Sequence, residues 1–282
     1  MNITAIQKPR TIWALLLTIS LFITGCSEDD STGINPPDLP PMASLLMDFD
    51  AFPAHPDAQT ANIAVQTAQA INCDASYFSY AACNVATWNF LITVGLAIPV
   101  ASFAESFNHT AVLQNDGTWI WSYDVIIGLT RYSVELHGKI VDANVNWNMY
   151  ISKAGEYTDF NWYSGTSHLS GSHGTWTLMN TPSNPTPLLQ IDWNYDKLTD
   201  TGDLKYTNVV PDGPENGGYI YYGSNNAVDY DAFYDIYNKG ADDLIEIEWN
   251  RSLFNGRVRN LNHFGNLDWH YWDSNLQDSV AP

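Results

Sequence analysis

The stretch NVNWNMYI, residues 144–151, decides the fold predicted for this chain. Every second residue from Val145 to Ile151 is apolar, and the residues between them are Asn or Tyr. Side chains in a strand alternate between two faces, so this pattern predicts a strand with one buried and one solvent-exposed face. The stretches LQIDWNYD at 189–196 and IEIEWN at 245–250 repeat the alternation. The β character is therefore spread along the chain.

Turn-rich pieces such as 180–187 and 211–218 separate the alternating segments, with no helical interval between them. This arrangement predicts a mainly β fold, with an antiparallel up-and-down meander of about 10–12 strands in a β domain at 112–282. So many strands in one twisted sheet must curl or split. We therefore expect a barrel or half-barrel, with a two-sheet β-sandwich as the alternative.

Four fragments share an apolar residue, an acid or amide, Trp, and then Asn or His. Because each tryptophan shares a face with the aliphatic residue two positions earlier, all four are predicted to point inward. Core packing is the simpler interpretation, and the lining of a hydrophobic cavity is the functional one. The residues are Trp147, Trp193, Trp249 and Trp269.

Residues 42–111 read as a helical region that packs against the sheet or inside it, forming one body with it. Residues 58–71 are rich in Ala and Gln, and residues 75–104 carry no charge. An uncharged stretch of this length raises the question of a membrane span. Pro99 and the lack of flanking Lys or Arg favour a helix buried within the protein, kinked or ended at the proline.

The first 25 residues contain Lys8 and Arg10, an apolar run at 12–23 and the small residues Thr24 and Gly25. These are the parts of a signal peptide. Residues 23–26, ITGC, resemble the lipobox of bacterial lipoproteins, which implies cleavage before Cys26 and attachment of lipid to that cysteine. Residues 26–41 then form an acidic, Pro-rich tether. The acids after Cys26 resemble a surface-export signal, although an ordinary solvated linker fits equally well.

The resemblance implies an outer-membrane lipoprotein of the cell envelope, facing either the periplasm or the outside. Removing residues 1–25 changes the formal net charge from −20 to −22. A surface this acidic repels nucleic acid, so we expect no nucleic-acid partner. In an oxidising envelope Cys73 and Cys83 are candidates for a disulfide, which requires a chain break between them because one continuous helix would hold them about 15 Å apart.

Three functions remain open. The first is a non-catalytic binding module or carrier for a hydrophobic, lipid-like ligand, with the inward aromatics lining its cavity. The second is a surface glycan-binding lipoprotein, for which Tyr150, Tyr163, Tyr222 and Trp272 are the candidate outer-face aromatics. The third is a structural envelope protein without a ligand.

An enzyme is the less favoured interpretation. The segment DLIEIEW at 243–249 resembles the strand motif of laminarinase-like glycoside hydrolases, whose alternating acids act as nucleophile and acid/base. Glu246 and Glu248 match the later acids, but Leu244 stands where that family has its nucleophile. No residue pattern indicates a metal or another cofactor, so we predict no catalytic residues and no cofactor.

Overall fold

The computed structural model describes residues 35–47, 49, 52–53 and 73–281. Apart from Asn35, all of them belong to the compact unit Pro36–Pro282. Within these residues a short 3₁₀ turn at Met42–Ser44 precedes three α-helices, α1 Tyr77–Gly95, α2 Ala97–Ser106 and α3 Leu261–Phe264. The strands are β1 Val112–Leu113, β2 Thr118–Ile127, β3 Thr130–Val141, β4 Asn144–Lys153, β5 Tyr157–His168, β6 His173–Thr181, β7 Asn184–Asp196, β8 Thr201–Asn208, β9 Tyr219–Ser224, β10 Ala232–Asn238, β11 Asp243–Trp249, β12 Gly256–Asn260, β13 His270–Trp272 and β14 Asp278–Ser279.

All these strands form one antiparallel sheet in which each strand pairs with its neighbours in sequence. The connections are tight: Gly128 and Asp142 adopt positive φ in the two-residue turns after β2 and β3, as hairpins of this length require. The predicted mainly β, up-and-down meander is thus confirmed. The closed barrel and the two-sheet sandwich are wrong, because within the described residues there is a single sheet with β1 and β14 at its edges.

Tryptophan and glycine alternate on the inner face of the sheet. One cross-strand row through β2 to β6 reads Trp119, Gly138, Trp147, Gly165, Trp176. A Cβ on Gly138 would lie only 2.6 Å from Cζ3 of Trp147. The glycines therefore make room for indoles that are too wide to stand side by side at the spacing of adjacent strands.

The inner face is covered by the chain that precedes the strands. Phe103 of α2 lies edge-on to Trp176, with ring centroids 5.8 Å apart, and Phe52 lies edge-on to Trp249 at 4.9 Å. The buried hydroxyl of Tyr206 donates to the Leu45 carbonyl at 2.7 Å. These contacts bury the inward aromatics against other parts of the same chain.

Ser76 caps the start of α1 by accepting a hydrogen bond from the Ser79 amide at 3.0 Å. Cys73 precedes this cap and forms the predicted disulfide with Cys83, with Cα atoms 5.7 Å apart. The expected chain break thus lies at the helix start. Residues 58–71, for which a helix was predicted, lie outside the described residues.

The uncharged stretch forms two helices separated at Leu96, and Pro99 lies in the first turn of α2, where a missing amide hydrogen costs no intrahelical bond. No single described helix is long and apolar enough to cross a membrane, but α1 and α2 together meet the length and composition criteria, with a bend of 69° between them. The expectation of a helix buried within the protein is met on only one side of α1. Its Phe90, Leu91 and Val94 are exposed.

Candidate binding face

The outer face of the sheet carries one continuous row of mainly polar side chains. Strand register aligns one residue from each strand between β4 and β12, so the row crosses the sheet perpendicular to the strands. The amides and hydroxyls lie at the β4 end and the ionised groups at the β12 end. The row is Asn146, Thr166, Thr175, Asp192, Lys205, Tyr221, Asp235, Glu246 and Arg259.

A groove of about 440 Å³ lies over β4 to β7. Short side chains at Thr166 and Thr175 form its floor, and their hydroxyls lie 3.4 Å apart. His168 and His173 border it with stacked rings whose centroids are 5.2 Å apart. The groove therefore presents hydroxyl and imidazole groups, each able to donate or accept hydrogen bonds.

A second groove, of about 320 Å³, lies over β7 to β10 and shares Asn194 with the first. The Asn194 amide donates to Asp203 at 3.0 Å, which fixes the orientation of both side chains. Tyr221 and Phe233 border this groove, their rings edge to face at 5.1 Å. Two adjoining grooves thus form a trough with a polar floor at one end and aromatic rings at the other.

The β10–β12 end of the row is an ion-pair cluster. Arg259 binds Glu246 through two hydrogen bonds of 2.6 Å, and Arg257 binds Glu248 at 2.7 Å. Burial, followed by the charges of Glu246 and Glu248, raises the pKa of Asp235 to about 6. The two glutamates that resemble the laminarinase-like motif are thus held by guanidinium groups in salt bridges, and Leu244 has no carboxylate to offer.

The predicted inward tryptophans divide into two groups. Trp147, Trp193 and Trp249 are buried in the core. Trp269 is not, and its prediction is corrected: it is half-buried and packs against Arg257 and Arg259, whose guanidinium carbons lie 4.3 and 4.4 Å from its ring centroid. It lies in the loop before β13, where the alternation of strand faces does not apply.

The outer-face aromatics also differ from the prediction. Tyr150 lies on the outer face, with its ring 4.8 Å from that of His137. Tyr163, Tyr222 and Trp272 are buried on the inner face. For Tyr163 the reason is a register shift between β4 and β5 that places Trp162 and Tyr163 consecutively in the core.

The sequence analysis did not predict that Tyr221 and Phe233 border a binding face. The signal was present, because each alternates with buried residues of its strand and so lies on the outer face. Within the described part of the chain, no group of three or more His, Cys, Asp or Glu residues could hold a metal ion. Cys26 lies outside the described residues. Comparisons with protein-family models, curated proteins and solved structures find no match to this chain.

Proposed function

We propose that this protein is a lipoprotein anchored to the outer membrane through Cys26, and that the outer face of its sheet binds a glycan. The observation that carries the binding proposal is the trough over β4 to β10, where amide, hydroxyl and imidazole groups adjoin Tyr221 and Phe233. The anchor is inferred from the ITGC sequence at 23–26 and the Pro-rich tether that follows it.

Sugars match this trough chemically. Their hydroxyls donate and accept hydrogen bonds at once, and Asn146, Thr175 and Asn194 can do the same. Sugar rings also have apolar C–H faces that can pack on aromatic rings such as Tyr221, much as apolar groups pack on aromatic side chains elsewhere. The trough is open and shallow along the sheet, which suits a chain of several sugar units better than a small enclosed molecule.

The contacts between the helices and the sheet also support a ligand on the outer face. α1 contacts β12 and β13 near one edge of the sheet, and α2 contacts β2 and β3 near the other. We infer that the sheet curls as a half-barrel around the N-terminal segment, with the two helices spanning its open side. The helices would then cover the inner face and leave the outer face free for a ligand.

A carrier for a hydrophobic ligand is less well supported. The inward tryptophans that would line its cavity already pack against the protein's own aromatics, with Phe52 on Trp249 and Phe103 on Trp176. A structural protein without a ligand is the remaining alternative, and glycan binding distinguishes it from the proposal.

The test is binding of the mature protein to an array of neutral oligosaccharides, followed by titration calorimetry on the best ligand. Thr175→Trp should fill the first groove and weaken binding at least tenfold, because Thr175 is exposed on its floor. Thr177→Trp, two residues along the same strand and outside the lining of the groove, is the matched control and should bind as the wild type does. Absence of binding across the array, or equal loss in both variants, would refute the proposal.

A further inference from the structure

We propose that the exposed side of α1, formed by Phe90, Leu91 and Val94, rests in the boundary between headgroups and acyl chains of the bilayer that holds the Cys26 lipid. This inference depends on the anchor in the proposed function and is independent of the glycan trough. It assigns a second membrane contact, which orients the body on the surface.

The two sides of α1 differ in what covers them. Phe78, Val85 and Ile92 are buried, whereas Phe90, Leu91 and Val94 are 45, 56 and 62% exposed. The exposed three are neighbours on one side of the helix, since residues four apart lie one turn from each other. Phe107, just after α2, is also 46% exposed. The three exposed side chains of α1 together form apolar surface of the kind that marks an interaction site.

A lipid surface fits this side of α1 better than an ordinary protein partner does, because the helix is apolar and carries no charged residue. The described helices α1 and α2 together meet the length and hydropathy criteria of a membrane span, yet they are bent by 69°, and one side of α1 packs on the sheet. No single described helix spans a bilayer, and the packing of α1 on the sheet leaves only its exposed side available to contact lipid.

The distribution of charged residues also favours α1 as the side that contacts the membrane. The chain has 31 Asp and Glu residues, none of them between residues 75 and 104. An acidic surface is repelled by anionic headgroups, and burying a charge in lipid is costly. The uncharged side of α1 can approach the bilayer without either penalty.

The tether also limits the distance between the folded body and the membrane. Only the nine residues 27–35 separate Cys26 from the start of the compact unit at Pro36. A fully extended chain of that length spans at most about 35 Å. Lipid on Cys26 would therefore keep the body close to the bilayer at all times, so that weak apolar insertion is sufficient to hold an orientation.

The experiment uses a single environment-sensitive fluorophore on the lipidated mature protein in phosphatidylcholine vesicles. Leu91→Cys gives the probe site on α1, and Leu198→Cys, at an exposed leucine in the β7–β8 turn, is the matched control. Cys73 and Cys83 are joined in the disulfide, so they do not react with the label. Mass spectrometry establishes separately whether Cys26 carries lipid, and labelled protein without vesicles gives the reference state.

We expect the probe at residue 91 to shift to the blue on reconstitution and to be quenched at least threefold by lipids with a nitroxide near the headgroup, while the probe at 198 is unaffected. A lipidated protein with no quenching at 91, or with equal quenching at both sites, would overturn the proposal. So would a probe at 91 that is already blue-shifted without vesicles, since protein rather than lipid would then cover α1. Absence of lipid on Cys26 would instead overturn the anchor and, with it, the membrane contact.

Discussion

Replacing Gly138 by alanine tests whether the inner face depends on its alternation of glycine and tryptophan. The new Cβ would lie 2.6 Å from Cζ3 and 3.0 Å from Cε3 of Trp147. The indole cannot easily move away, because Trp147 is 1% exposed, donates from Nε1 to the Ser167 hydroxyl at 2.9 Å and packs on Trp121 at 5.7 Å. Overpacking of this kind costs about 2 kcal/mol, which lowers the melting temperature by about 6 °C in a protein of this size.

The nearest three atoms to that Cβ all belong to Trp147, so the cost should disappear when the indole does. Trp147→Leu alone should destabilise the protein by about 3 kcal/mol. In that background Gly138→Ala should cost less than about 1 kcal/mol, or stabilise the strand, because alanine loses less backbone entropy than glycine. Gly95→Ala is the control, since a Cβ there would meet no atom within 4 Å.

The assay is urea and thermal unfolding followed by far-ultraviolet circular dichroism, which reports mainly on the backbone rather than on the tryptophan removed. The coupling energy from the four stabilities then isolates the contact. If Gly138→Ala costs the same with Trp147 and with Leu at position 147, the indole does not require the glycine, and the explanation of the inner face fails.

Three further predictions concern stability. Cys83→Ser should lower the free energy of unfolding by about 3 kcal/mol, the chain-entropy effect of a ten-residue loop, and the wild type treated with reductant should match the variant in thermal melts. Tyr206→Phe should cost about 2–4 kcal/mol and speed proteolysis of residues 45–47, because the lost hydroxyl leaves the Leu45 carbonyl and the Met47 amide unpaired; unchanged protease sensitivity would contradict this. Asp235 has a raised pKa in the folded state, so its ionisation destabilises the fold, and stability is lost as pH rises from about 4 to about 6. Asp235→Asn should therefore equal the wild type at pH 4 and exceed it at pH 7 by about 2 kcal/mol in denaturant titrations, less than the full pKa shift implies because water screens this partly exposed carboxylate. A less stable variant at pH 7 would mean that the charge is favourable.

The alternation of apolar and polar residues was sufficient to predict the meander. In β4 and β7 it places Trp147 and Trp193 inward, because side chains in a regular strand can point only to two faces. The disulfide was also accessible from sequence, since Cys73 and Cys83 require a chain break and Ser76 supplies one. These features depend on neighbours along the chain.

Features that depend on distant residues were decided only by the tertiary structure. Trp269 is in a loop and Tyr163 follows a register shift, and at both places the two-residue period no longer reports the face. The trough is lined by side chains from strands β4 to β10, and the pairing of those strands decides which residues become neighbours. No local sequence pattern therefore predicts the trough. The sequence by itself determined that this chain forms paired hairpins with a buried aromatic face. Long-range packing decided the rest, because burial is a property of the assembled surfaces. It determined that the sheet stays open, that α1, α2 and the segment before them cover the aromatic face, and that one side of α1 is left exposed.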